Sequence, residues 1–329
     1  MKMIVETLTP VFIGSGESIE PYEYFIKDRF YRINLSKFIL SLDKANKEEF
    51  LKISSSDMIK TRNFIKEMAD TSKVQEYSME IDSDVLEVYE DKKNDPNNQL
   101  SIQTFIKTSS RPFIPGSSVK GAIRTALLYS MTPKPLTESG NIEKDVFGYR
   151  NPQDDPFRVL KISDSLPLAF DDMKIYNVKT FSKKDNFSAS GYNMMFEGTK
   201  SYYFDRAAVA SHDIWIDEDL KKKSEFIDIN IKKIISSCNE FYGMVINKEL
   251  EFFGSSKTSY AYEKYEQLAK DMESLKNENS FILRLGWGSA YNSVTINLAK
   301  ERPDNKISRR LIKGEFPLGW VKVKIMDEK

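Results

Sequence analysis

One cysteine, Cys238, and one histidine, His212, are all that the 329 residues hold of those two types. A single thiol excludes an internal disulfide and favours a reducing compartment. Zinc sites need several Cys or His ligands, and two such residues in the whole chain do not make one. General acid–base work leans most often on His, but the lone histidine, within Ser211-His212-Asp213 and with no matching nucleophile motif, reads as structural. No apolar run approaches the ~18 residues of a membrane span. The amino terminus meets Glu6 too early for a signal peptide. The expectation is a soluble, cytoplasmic protein without a membrane partner. Net charge is also missing: Lys plus Arg and Asp plus Glu stand at 49 each. A freestanding nucleic-acid binder is usually basic, so any such contact here has to use local patches or a larger assembly.

What is present is charge sorted by position. No acid occurs from 96 to 137, while Lys107, Arg111, Lys120, Arg124 and Lys134 do. No acid occurs from 279 to 300. From 302 to 314 the bases Arg302, Lys306, Arg309, Arg310 and Lys313 face Asp304 alone. A neutral chain that segregates its charge in this way is expected to have one anion-facing surface.

The most informative segment lies in the first acid-free run: Arg111-Pro112-Phe113-Ile114-Pro115-Gly116-Ser117-Ser118-Val119-Lys120-Gly121-Ala122-Ile123-Arg124. Pro112 and Pro115 hold the residues before them extended. Gly116 permits a close approach or positive φ. Ser117 or Ser118 can cap a helix to about Met131, stopped by 132–135. Val119, Ile123, Ala126 and Leu127 share an apolar face, and Lys120 and Arg124, four apart, share another. Free N–H groups at such a helix start suit a phosphate. An ordinary turn into a buried helix is the alternative, and the spacing is not that of a Walker A loop.

Other glycine-bearing segments accompany it. In Arg284-Leu285-Gly286-Trp287-Gly288, followed by Tyr291, backbone amides can face a phosphate while Trp287 or Tyr291 stacks, or Trp287 can be core. Thr9-Pro10-Val11-Phe12-Ile13-Gly14-Ser15-Gly16-Glu17 reads as a loop after the first strand. The basic 302–314 run reads as solvated surface, with Arg309 and Arg310 beside the final strand and able to reach a backbone. The pairs Asp154-Asp155 and Asp171-Asp172 read as solvated turns, and Cys238 as core. No catalytic set and no metal set is found.

The coarse pattern has strands at 3–8, 22–27, 30–33, 158–163, 281–285 and 318–325, the last with Val321, Val323 and Ile325 on one side. Helices are expected at 35–42, 47–53, 58–69, 227–252 and 260–277. Loops are expected at 9–20, 91–99 and 147–155, with a mobile stretch at 181–198. Without regular β-α alternation, the class is α+β. The division expected is 1–165 and 166–329.

The segments 9–17, 114–124 and 285–288, with Pro317-Leu318-Gly319-Trp320 near the end, resemble the RAMP superfamily of CRISPR RNA-binding proteins. Their order looks most like the fifth-subunit family of the Csm complex, the type III-A effector. The resemblance implies two ferredoxin-like (RRM-like) modules with glycine-rich loops. It implies a non-catalytic subunit that binds crRNA, caps its 3′-end side, abuts a backbone RAMP subunit and supports crRNA maturation by recruiting host ribonucleases. The cradle would comprise Gly14, Ser15, Gly16, Arg111, Gly116, Ser117, Ser118, Lys120, Gly121, Arg124, Arg284, Gly286, Trp287, Gly288, Arg309 and Arg310, with no cofactor. A metal-independent crRNA-processing endoribonuclease using His212, a sister RAMP subunit and a pure docking protein are the alternatives. Segments 80–99 and 181–198 match no motif.

Overall fold

The computed structural model describes residues 1–95, 100–136, 141–182, 188–223, 228–254, 259–275, 278–303, 306 and 308–327. Its class is α+β, built on two large sheets, with a two-stranded ribbon of Lys107–Thr108 and Arg111–Pro112 beside them in the chain. A five-stranded antiparallel sheet runs in the order Ser280–Arg284, Trp320–Met326, Lys2–Thr7, Val209–Ile216, Leu160–Ile162. The strand period of two puts Met3, Val5, Val321, Val323 and Ile325 on the buried face. Against that face pack the helices Gly116–Met131, Ile231–Phe253 and Tyr260–Ser274. Tyr129 meets Phe241 at 5.1 Å, and the Tyr242 and Tyr265 rings meet Trp320 edge-on at 6.1 and 6.0 Å. On the long helix Ile234, Cys238, Phe241, Tyr242, Val245 and Ile246 are buried, so Cys238 is core as expected.

The second sheet is mixed and curled. Its order is Gly14–Ile19, Ile102–Phe105, Ser188–Thr199, Met173–Ser182, Gln75–Ile81, Phe30–Ile33, Tyr24–Ile26, with Ser308–Ile312 also pairing on Met173–Ser182. Between Phe30–Ile33 and Gln75–Ile81 the chain inserts the helices Leu35–Ser41, Lys44–Ser54, Met58–Met68 and Thr71–Val74. Each begins on an Asn or Asp whose side chain accepts from a first-turn amide: Asn34, Asp43, Asp57 and Asp70. This insert has its own small core around Phe25, Ile33, Phe38, Phe50 and Ile65.

Several expectations need correcting. Residues 14–19 are not loop but a strand, because their backbone pairs with 102–105 although five of the six residues are exposed. The stretch 181–198, expected to be irregular and mobile, is strand along its described length. Met173–Ser182 and Ser188–Thr199 form a hairpin with a register shift after Lys179, and 183–187 lies outside the described residues. Of the expected 91–99 loop, Lys92 still belongs to the helix Ser83–Lys92, and 96–99 also lies outside. Within 147–155 the described chain makes a 3-10 turn at Pro152–Asp154. Strand pairing crosses the expected division at 165/166. Lys2–Thr7 lies between Val209–Ile216 and Trp320–Met326, so the first strand finds both neighbours beyond residue 166.

Candidate nucleic-acid interface

The Gly116–Met131 helix begins where the sequence places it, but its start is closed. Pro115 is the cap residue and makes no capping bond of its own, so neither Ser117 nor Ser118 plays that part. Both serines lie inside the first turn, where the amides of Ser118 and Val119 turn back to the Pro115 carbonyl at 3.1 and 3.4 Å. The Gly116 amide donates to Asp164 Oδ1 at 2.9 Å. A Cβ on Gly116 would stand 2.4 Å from the carbonyl oxygens of Ile162 and Ser163, so only glycine fits.

The two cations of the motif are engaged within the chain. Lys120 Nζ donates to the Leu160 carbonyl at 2.7 Å. It is half-buried, and desolvation, with Lys161 adding to it, pushes its pKa down. Arg124 Nη1 donates to both Asp155 oxygens at 3.0 and 2.9 Å, and its other edge reaches Glu143 and the Tyr149 hydroxyl. Its guanidinium lies 4.7 Å from the Phe157 ring centroid and 5.1 Å from that of Phe147. The anions this segment meets are its own protein's Glu143, Asp155 and Asp164, all beyond the acid-free run. Arg111, Ser117 and Gly121 remain exposed, Arg111 on a two-residue strand paired with Lys107–Thr108.

The other glycine segments interlock. The Trp287 amide donates to the Phe12 carbonyl at 2.8 Å, and the two rings meet edge-to-face at 6.0 Å. Gly286 has φ +76, and a Cβ there would stand 2.2 Å from the Phe12 oxygen. Gly319 donates to Pro10 at 2.9 Å and accepts from Leu285 at 2.7 Å. Segments 9–17, 285–288 and 317–320 are therefore one packed corner. Arg284 lies beneath it, buried, donating to Leu318 at 3.0 Å and standing 5.1 Å from the Trp320 ring. The motif helix joins this corner indirectly, through Tyr242, whose hydroxyl donates to Ala122 at 3.2 Å and whose ring touches Trp320. Gly14, Ser15 and Gly16 extend from the corner along the exposed strand. Gly16 has φ +89 with open space around it, and the Ser15 hydroxyl bonds that of Thr104.

Arg309 and Arg310 sit on the strand Ser308–Ile312, opposite Phe181 and Thr180, so strand alternation sends them to opposite faces. Arg309 is buried, paired with Glu249 at 2.6 Å and 3.9 Å from the Phe252 ring. Arg310 is exposed and lies 4.3 Å from the Trp287 ring. Lys306 lies 4.8 Å from the Tyr291 ring. Between them runs a groove of about 410 Å³ lined by Thr180, Gly288, Ala290, Tyr291, Lys306, Ser308, Arg309 and Arg310. Thr180 and Ser308 escaped the sequence reading because their strand pairing is non-local. A larger polar hollow of about 700 Å³ opens beside the exposed 14–19 strand. Its Arg32 is paired with Glu23 and Glu76, and its Lys107 with the fully buried Glu197.

His212 is on the strand Val209–Ile216, buried, with Nδ1 2.8 Å from the Ser163 carbonyl oxygen. Burial pushes its pKa down, against the raising influence of Ser163, Asp164 and Asp213. Among the described residues, no group of three His, Cys, Asp or Glu is placed to hold a metal ion, and no helix is long and apolar enough to cross a membrane.

A helix-backed antiparallel sheet beside a curled mixed sheet, with glycine turns packed where they meet, defines the class. The sequence model of the RAMP superfamily matches residues 4–291, and the chain belongs to that superfamily. It is 27% identical over 345 residues to the CRISPR system Cms protein Csm5 of Methanocaldococcus jannaschii, across 96% of this chain and 78% of that one. It is 29% identical over 207 residues to Csm5 of Streptococcus thermophilus, across 56% and 57%. In fold it resembles a chain of a Csm-crRNA-target RNA ternary complex from a type III-A CRISPR-Cas system, with TM-score 0.71 at 19% identity, over 98% of this chain and all of that one. The crystal structure of T. onnurineus Csm5 gives 0.69 at 22%, over 97% and 99%.

Proposed function

We propose that this chain is a crRNA-binding, non-catalytic subunit of a type III-A CRISPR effector, seated on the 3′-end side of the guide against a backbone RAMP subunit. Likeness along nearly its whole length to the M. jannaschii Csm5 carries the reading. The charge pattern supports it. Arg111 and Arg310 are exposed, and Lys120, Arg124, Arg284 and Arg309 donate to groups of the protein itself. Gly14, Ser15, Gly16, Arg111, Ser117, Gly121, Gly288 and Arg310 would face RNA, while Gly116, Ser118, Lys120, Arg124, Arg284, Gly286, Trp287 and Arg309 shape the surface from beneath. Contacts to phosphate position a guide without reading it, which suits a subunit that must accept any spacer. The buried His212 is poorly placed to reach a scissile phosphate. Maturation would then depend on ribonucleases recruited from the host cytoplasm.

The test is reconstitution of the complex with and without the chain. With it, guides carry defined, shortened 3′ ends and crosslink to it from their 3′ side. Without it, the ends are long and heterogeneous. Specific cleavage of precursor RNA by the purified chain in EDTA, lost on His212→Ala, overturns the non-catalytic reading.

A further inference from the structure

We propose that the groove between the 286–291 turn and the strand Ser308–Ile312 binds single-stranded RNA, with phosphate on Lys306 and Arg310 and a base stacked on the Arg310–Trp287 pair. The assignment rests on the crRNA-binding reading and deepens it by placing one contact.

The argument begins on the strand. Arg309 points inward and is fixed by Glu249 at 2.6 Å, with Phe252 against its guanidinium. Alternation then commits Arg310 to the outer face. There its guanidinium lies 4.3 Å from the Trp287 ring, and Trp287 is itself held by the Phe12 carbonyl and the Phe12 ring. A guanidinium seated on an indole is a flat cationic surface, and its outer side can carry an unstacked base. Lys306, 4.8 Å from the Tyr291 ring, sets a second cation on a second ring. Thr180, Tyr291 and Ser308, each bearing a hydroxyl, line the same groove, and such groups suit ribose and phosphate oxygens. None of the described lining residues is a carboxylate. The volume, about 410 Å³, falls within the ~300–1,000 Å³ of small-ligand sites. The flat Arg310–Trp287 pair favours splayed single-stranded bases over a duplex, whose bases are already stacked, and over an acidic peptide, which has no flat face to offer.

The experiment uses the full chain with a labelled oligouridylate and a guide-length RNA across a salt series, with thermal melting to verify folding. Arg310→Ala is expected to weaken single-strand binding roughly five- to hundredfold. Arg310→Ala with Lys306→Ala is expected to flatten the log–log salt slope by about 0.7 for each phosphate that is no longer neutralised. Ultraviolet crosslinking of the assembled complex is expected to leave a nucleotide on the peptide bearing Trp287 or Tyr291. Folded variants that match wild type in affinity and slope overturn the groove, as does an equal loss of binding to poly-glutamate or to duplex RNA. If the variants match wild type while the chain still crosslinks to guide elsewhere, only the groove falls. If the wild-type chain does not crosslink to guide at all, the subunit reading falls with it.

Discussion

The Gly116 amide donates to Asp164 Oδ1 at 2.9 Å, so a carboxylate of the protein fills the helix start that the sequence offers to an external anion. A carboxylate there stabilises the helix dipole and one orphan N–H together. Asp164→Ala is expected to cost about 1 kcal/mol, and Asp164→Asn less, since it keeps an acceptor. Gly116→Ala is expected to cost more, because its methyl meets the carbonyls of Ile162 and Ser163 at 2.4 Å. Denaturant titration of the three variants checks the order. A Gly116→Ala protein as stable as wild type removes the steric argument.

Arg124 ties the motif helix to Asp155 and Glu143. Its side chain is only partly exposed and lies on aromatic rings, so the pair is stronger than a freely solvated one. Arg124→Ala is expected to cost about 1–3 kcal/mol, with a non-additive Arg124→Ala/Asp155→Ala double variant. RNA affinity measured against salt should keep its slope in Arg124→Ala. A flattened slope would mean that this guanidinium reaches phosphate.

Glu249 and Arg309 are both almost wholly withdrawn from solvent. Removing one partner of such a pair strands the other charge. Glu249→Ala is expected to cost about 3–5 kcal/mol, whereas an apolar replacement of both residues is expected to recover much of that. Chemical denaturation of the single and double variants decides the point. Because this pair sets the strand under Arg310, Glu249→Ala should weaken RNA binding as well.

His212 gives the fold a pH dependence of known sign. Burial holds its folded-state pKa below the usual value of about 6.5. The unfolded chain therefore takes up the proton first as pH falls. The contribution is complete above about pH 6.5 and is lost as pH drops through the unfolded value toward the folded one. Urea midpoints measured from pH 8 down to pH 5 should fall, and His212→Gln should flatten that fall. An identical profile in the variant would clear His212 of the effect.

Local pattern made much of this protein legible. The motif helix, the buried face of Val119, Ile123, Ala126 and Leu127, and the inward Val321, Val323 and Ile325 are each read from periodicity, and each is buried. The superfamily and the α+β class follow from the same segments. What local pattern misses is pairing between distant residues. Gly14–Ile19 lacks an apolar face, so only its bonds to Ile102–Phe105 reveal a strand. Ser308–Ile312 looks like a solvated basic run until Met173–Ser182 lies beside it. The acid-free stretch around Lys120 and Arg124 looks unpartnered in sequence because Glu143, Asp155 and Asp164 are supplied by chain that folds back later.

The place of Lys2–Thr7 between Val209–Ile216 and Trp320–Met326 has a consequence for synthesis. As the chain leaves the ribosome, its earliest strand has no partner until residue 209 emerges, and lacks its second until 320–326 does. The corner formed by Phe12, Gly286 and Gly319 closes only at that same late stage. Contacts so distant in sequence form slowly. The first sheet and that corner are therefore finished only once residues 2–12 meet residues 280–326.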